Sequence, residues 1–137
     1  MKKIIRLITF FLFTCFSGTF AQQRGNATFY SQKMHGRQTS DGGNYHADSL
    51  TCAHRTYPFG TFLKVRNLQN NKEVIVKVTD RGPHRKHLLI DLSYSAAKRL
   101  GIIQQGKALV EIMKYDSIPT PQLVGLTQDT ATIHKFH

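Results

Sequence analysis

A chain of 137 residues with 19 lysines and arginines, eight acids and two cysteines is long enough for one domain with a core and too short for two. Two cysteines exclude a disulfide scaffold. The formal net charge of +11 suits an anionic setting such as a cell envelope, although charge kept for solubility gives the same count.

Lys2, Lys3 and Arg6 precede an apolar run at 7–16, and the small residues Thr19 and Ala21 close it. This is the pattern of a secretory signal peptide, residues 1–21, cleaved after Ala21. The run is shorter than the roughly 20 residues a membrane-spanning helix needs. Acylation of Cys15 is the alternative, which bulky Phe13 and Thr14 fit poorly. Removal of 1–21 leaves 116 residues with 16 bases against eight acids, a net charge of +8. An exported chain with no basic helix and no aromatic RNA-binding signature is not expected to bind nucleic acid. Cys52 then stands alone and reads as a small buried hydrophobe.

Residues 26–31 have strand composition, and the polar segment 32–44, rich in Gly, Ser, His and Gln, is too long for a mere connector. It presents His35, Gly36, Arg37, Thr39 and Asp41. Tyr57-Pro58-Phe59-Gly60 is a turn with aromatic walls. Residues 61–66 alternate as a strand and join, through a turn at 68–71, a second strand that ends at Asp80, which predicts a hairpin. Residues 74–78 are β-branched and alternate only loosely, so that strand is expected to be largely buried. Gly82 and Pro83 force a turn behind Asp80. A carboxylate held there, half out of water beside backbone N–H groups and Arg81, is a candidate chemical site; it could equally cap the turn. Ser93 predicts the N-cap of a helix over 94–100 that Gly101 ends, with Ala96, Ala97 and Leu100 on its buried stripe. Residues 108–113 make a last strand, and 116–137 read as a weakly ordered tail. Short strands with turn signals argue for a mainly β fold, a small barrel with one or two short helices.

The ordered blocks carry more than this pattern. Gly25-x-Ala27-x-Phe29-Tyr30, His35-Gly36-Arg37-x-Thr39-Ser40-Asp41-Gly42, Leu50-Thr51-Cys52-Ala53-His54-Arg55-Thr56-Tyr57-Pro58-Phe59-Gly60-Thr61, Val65-x-Asn67-Leu68, Asp80-Arg81-Gly82-Pro83 and Ile90-Asp91-Leu92-Ser93-x-x-Ala96-Ala97 together resemble the rare lipoprotein A (RlpA-like) family. The resemblance implies a six-stranded double-psi β-barrel over 22–115, with a glycan lying in a groove across it. It implies a lyase acting on peptidoglycan glycan strands, an endolytic lytic transglycosylase preferring strands stripped of stem peptides, in the periplasm or cell envelope. Two departures stand out. Where the family usually carries Glu after the Thr-Ala-Asn-Gly run, this chain has Gly43, and where it carries Gly-Arg before Ile-Asp-Leu-Ser, this chain has His87-Leu88. A non-catalytic glycan-binding barrel therefore stays open beside the enzyme.

Lytic cleavage needs an acid to protonate the leaving oxygen, after which the sugar's own 6-hydroxyl attacks, so one carboxyl can act as acid and then base. Asp80 is the candidate acid. An adjacent Arg81 cation would keep it ionised unless burial or Asp91 offsets it. Asp41 is a substitute for the missing Glu. His54 is expected in the groove as hydrogen-bond partner or proton relay, with a structural histidine as the alternative. Arg37, Thr39, Tyr30, Tyr57, Arg81 and Asp91 are the expected substrate contacts, Tyr30 and Tyr57 by stacking on sugar rings. His84 and His87 lack a carboxylate or cysteine at matching spacing, so no metal is assigned; no cofactor is expected, and the chain is expected to act as a monomer.

Overall fold

The computed structural model describes residues 21–116. The expected signal peptide, apart from Ala21, and the expected tail beyond Asp116 lie outside the described residues. Six strands, β1 (Gln23–Phe29), β2 (Thr51–Ala53), β3 (Phe62–Asn67), β4 (Glu73–Asp80), β5 (Leu88–Leu92) and β6 (Ala108–Lys114), close into a barrel in the order β1-β5-β2-β4-β3-β6. Closure leaves no strand edge to be protected from water or from another chain. Two pairs are parallel, β1 with β5 and β2 with β4, and the others antiparallel. Among the described residues, a single α-helix, α1 (Tyr94–Leu100), and one 3₁₀ turn (Gln32–Met34) complete the fold.

Local chemistry sets the elements that a sequence pattern can see. Val74, Val76 and Val78 point into the core while Glu73, Ile75 and Lys77 point out. β4 is thus a half-buried strand of strict period two, not the largely buried one expected, because Ile75 spends its apolar side chain on the outer face. The β3–β4 hairpin pairs Val65 with Val74 and Leu63 with Val76. It turns on Asn71 at φ 60°, a left-handed position that asparagine tolerates. Ser93 caps α1 by accepting from the Ala96 amide, and Gly101 ends it at φ 73°. Gly101 N–H donates to Lys98 O at 3.2 Å and Ile102 N–H to Ala97 O at 3.1 Å, the paired bonds of a Schellman motif with buried Ile102 as its apolar partner. The amides of Asn67 and Asn70 both donate to Leu100 O at 3.1 Å, which ties the hairpin turn to the helix end.

Three assignments shift. The first strand runs over Gln23–Phe29 rather than 26–31, with an irregularity between Asn26 and Ala27 where its parallel pairing to β5 changes register. β2 and β5 carried no strand assignment of their own: β2 has three residues, and Leu89 beside Ile90 hides the alternation of β5. The segment 32–49 is folded back on itself by Gly36 N–H to Tyr45 O at 2.8 Å and Tyr45 N–H to Arg37 O at 2.7 Å. The core gathers Ala27, Leu63, Val65, Val76, Ile90, Leu92, Leu100 and Ile112 with Cys52, a free thiol at 1% exposure. Burial, helped by the nearby Asp91 charge, pushes that thiol far up its range, so it is inert.

Candidate active site

The ends of β1, β4 and β5 meet at one rim of the barrel. Ala53, the last residue of β2, is the register partner of Asp80 on β4 and of Asp91 on β5. Neighbouring strands lie about 4.8 Å apart, so these two acids stand on backbones roughly 10 Å apart across one alanine. Gly82 follows at φ 138°. A Cβ there would sit 3.8 Å from both Ala53 Cβ and Asp91 Oδ2, so the turn lies directly against the second acid.

The two carboxyl groups have opposite surroundings. Asp80 Oδ1 accepts from Ser40 N–H at 3.0 Å, Ser40 Oγ at 2.5 Å and Arg81 N–H at 2.8 Å, and its Oδ2 accepts from the Tyr30 hydroxyl at 3.0 Å. Burial alone would raise its pKa, but these donors together outweigh burial and hold the group below the ordinary carboxylate range. Asp91 accepts from Thr28 Oγ1, its partner across the parallel β1–β5 pair. Burial dominates there and raises its pKa against that bond and against the charges of Arg55, His84 and Arg85. Burial and the negative charges of both acids push the Tyr30 phenol up, so it stays a donor to Asp80.

Asp80, Asp91 and Tyr30 line a cleft of ≈ 260 Å³ with Arg37, Thr39, Ser40, Arg81 and His84. It therefore brings together six residues read from the sequence, Tyr30, Arg37, Thr39, Asp80, Arg81 and Asp91, and adds others. Ser40 lies inside the quoted Thr39-Ser40-Asp41-Gly42 block, but its bond to a carboxylate 40 positions away leaves no local trace. Tyr45 carries no motif signal. Its hydroxyl accepts from Tyr94 N–H at 3.0 Å, and its ring meets Tyr30 edge-on at 5.1 Å, which pins the 32–49 segment to the start of α1.

Three predicted residues stand away from this cleft. His54 is buried at 3% exposure, and its Nδ1 accepts from the amides of Thr56 and Tyr57, each at 3.2 Å. Burial, with Arg55 and Arg81 nearby, lowers its pKa to about 4. It is a neutral structural histidine rather than a groove residue. Tyr57 packs on that imidazole at 4.7 Å and against the core. Asp41 accepts from Thr39 Oγ1 at 2.6 Å and Gly43 N–H at 3.0 Å, bonds that close its own turn and hold its pKa low. Arg81 also differs from expectation. Its Nη1 donates to the carbonyls of His54 at 3.1 Å and Tyr57 at 2.9 Å, and the guanidinium stacks on Phe59 at 3.8 Å. What Arg81 supplies to Asp80 is its backbone N–H, and its side chain braces the 54–59 turn. Among the described residues no group of three histidine, cysteine or acidic side chains is placed to hold a metal ion.

A family profile described as "Lytic transglycolase" matches residues 22–112. The chain is 51% identical over 83 residues to a protein of Aquifex aeolicus named probable endolytic peptidoglycan transglycosylase RlpA, covering 61% of this chain and 37% of that one. It is 46% identical over 90 residues to the endolytic peptidoglycan transglycosylase RlpA of Neisseria meningitidis, with 66% and 38% covered. The match to the Vibrio cholerae protein of that name is 44% over 90 residues, with 66% and 34% covered. The chain thus spans little more than a third of the length of these relatives. Among solved structures, the apo expansin of Clavibacter michiganensis superposes with a TM-score of 0.58 at 24% identity, covering 71% of this chain and 52% of that one. A Streptomyces papain inhibitor gives 0.57 at 22%, with 70% and 96% covered. Identities this low speak for the barrel alone.

Proposed function

The chain belongs to the lytic transglycolase family, and from that premise we propose that it is a peptidoglycan lytic transglycosylase, cutting glycan strands internally to 1,6-anhydromuramyl products during cell-wall remodelling. The observation that carries the reading is the pair of carboxyl groups in one cleft whose surroundings push their pKa values apart, the arrangement that assigns an acid and a permanent anion. Asp91, raised by burial, is the acid; Asp80, held ionised by its donors, is the anion. This moves the acid from Asp80, the candidate read from the sequence, to Asp91, expected there only as a substrate contact.

In the proposed reaction Asp91 gives its proton to the leaving glycosidic oxygen as the bond to the muramyl anomeric carbon breaks. The Asp80 carboxylate, in place before the substrate arrives, stabilises the positive charge that develops on the ring. The muramyl 6-hydroxyl then closes on the anomeric carbon, and its proton returns to Asp91, so no water is consumed and the enzyme ends as it began. Tyr30 and Ser40 hold Asp80 in position, and Thr28 holds Asp91. Arg37 and Thr39 are the substrate contacts on the walls. The chain would act in the cell envelope, exported by residues 1–21; among the described residues no helix is long and apolar enough to cross a membrane.

Digestion of purified peptidoglycan, and of glycan strands freed of stem peptides, followed by mass spectrometry, tests this directly. Anhydro-ended products from the stripped strands, in larger yield than from intact peptidoglycan, are expected. Gly43, in place of the family's Glu, favours a second reading, a barrel that binds glycan without cutting it. Strand binding with no anhydro product would establish that reading.

A further inference from the structure

Past Tyr30, His84 and Asp91 the cleft continues into a second depression of ≈ 390 Å³, walled by Thr28, Phe29, Pro83, Arg85 and Leu88. Its chemistry differs from that of the first arm. The first arm carries the Asp80 carboxylate with its donors and Arg37; this one carries Arg85, with His84 and Asp91 on the border of the two. His84 and Arg85 are exposed, and Arg55 reaches the same loop, its Nη2 donating to Arg85 O at 2.6 Å. Leu88 N–H donates to that same carbonyl at 3.0 Å. The backbone of Arg85 is thereby fixed while its guanidinium is left to the groove. The ion pairs among the described residues are Arg24 and Arg66 with Glu111, Lys64 with Glu73, and Lys114 with Asp116. None involves Arg55, His84 or Arg85. The one acid lining this depression is Asp91, which is neutral when it carries the proton that the proposed reaction needs.

We propose that this arm is a subsite for a sugar carrying a free carboxylate on a short linker, the 3-O-lactyl group of a muramyl residue, with Arg85 as its ligand and His84 lining the wall beside it. The inference rests on the peptidoglycan reading above and adds the group recognised. A guanidinium matches a carboxylate in geometry and charge, and Phe29 and Leu88 offer the ring an apolar wall. On a strand that still bears stem peptides the lactyl group is an amide, so the charge at this position is gone. The arm would thus select strands whose muramyl carboxyls are free, by an attractive contact rather than by excluding bulk.

The test is binding to the full chain carrying Asp91→Asn, so that strands are not consumed, measured by calorimetry. The probes are stripped glycan strands, the same strands with their carboxyl groups converted to primary amides, and chitohexaose. Amidation is expected to weaken binding roughly tenfold, the scale of one charged hydrogen-bonded contact. Adding Arg85→Ala should remove that difference, lowering affinity for the carboxylate strands to the amidated level and leaving the amidated strands unaffected. Equal affinity for the two strand types overturns the subsite. So does an Arg85→Ala loss of equal size on both, or an amidation effect that survives Arg85→Ala; anhydro products from the unmodified enzyme would still uphold the lytic reading. No binding to any of the three probes overturns the glycan reading together with the subsite. Arg85 is exposed and its carbonyl contacts belong to the backbone, so a native melting curve for Arg85→Ala is expected and is checked first.

Discussion

Asp91→Asn separates the chemistry of the site from its stability. The substitution keeps size and shape and removes the ionisable proton; loss of a general acid costs about 10² to 10⁴ in rate, or roughly 3 to 5 kcal/mol of barrier. Stability should respond in the opposite sense. Burial raises the folded pKa of Asp91 above that of the unfolded chain, so the native state binds this proton more tightly. That contribution is present in full below the unfolded pKa and is lost as pH climbs through the folded one. Above that folded pKa the parent carries a half-buried carboxylate that the variant lacks. Against this, the Thr28 hydroxyl then donates to a neutral amide instead of an anion, a loss of about 1 kcal/mol, or some 4 to 8 °C in a domain of this size. The melting temperature of the variant relative to the parent should therefore rise steadily from pH 3 to pH 7. Thermal melts across that range, paired with mass spectrometry of stripped-strand digests, read both effects. A variant that still releases anhydro products at the parental rate removes Asp91 from the acid role. A melting difference that falls between pH 3 and pH 7 shows that its folded pKa is not raised.

The opposite pattern is expected at Asp80, whose folded pKa is depressed. Asp80→Asn should destabilise the chain by about 1 to 2 kcal/mol at pH 7, after allowance for solvent in the cleft, because four donors lose an anionic acceptor; the deficit should vanish as pH falls through the folded pKa, and a constant deficit would contradict it. Gly82→Val places a branched side chain at φ 138° against Asp91 and should lower stability by about 1 to 3 kcal/mol with loss of cleavage; an unchanged melting temperature would show the turn to be permissive. Gly43 is not among the glycines at positive φ, so its backbone accepts a side chain, but a Cβ there would lie 3.3 Å from Asp41 Oδ1 and 3.6 Å from Thr39 Oγ1, and the Asp41 carboxylate must shift slightly to admit it. Gly43→Glu should raise anhydro product formation on stripped strands, and an active parent that gains nothing from it would mean that Asp80 and Asp91 suffice.

What the sequence determined by itself was local geometry and membership. Ser93 and Gly101 mark both ends of α1 because a cap is satisfied within four residues. Residues 68–71 mark the hairpin for the same reason, whereas the period-two face of β4, Val74, Val76 and Val78, came out only in the structure, because apolar Ile75 on the outer face blurs the alternation. The ordered blocks also named Tyr30, Arg37, Thr39, Asp80, Arg81 and Asp91 as candidate site residues, along with His54, Tyr57 and Asp41, and the fold brings the first six to one cleft. Which of them does what was decided only by tertiary structure. Asp80 is held ionised by Ser40 and Tyr30, 40 and 50 residues away, and Asp91 is raised by burial that closure of the barrel creates. His54 carries the same letter whether it faces a groove or bonds two amides inward, and Arg81 the same charge whether it meets Asp80 or turns to the carbonyls of the next loop. β2, with three residues, exists because β4 and β5 flank it. Periodicity and caps report contacts within a few residues; a pKa is set by whatever the fold brings close and by the water it removes, and in this barrel those partners come from strands far apart in the chain.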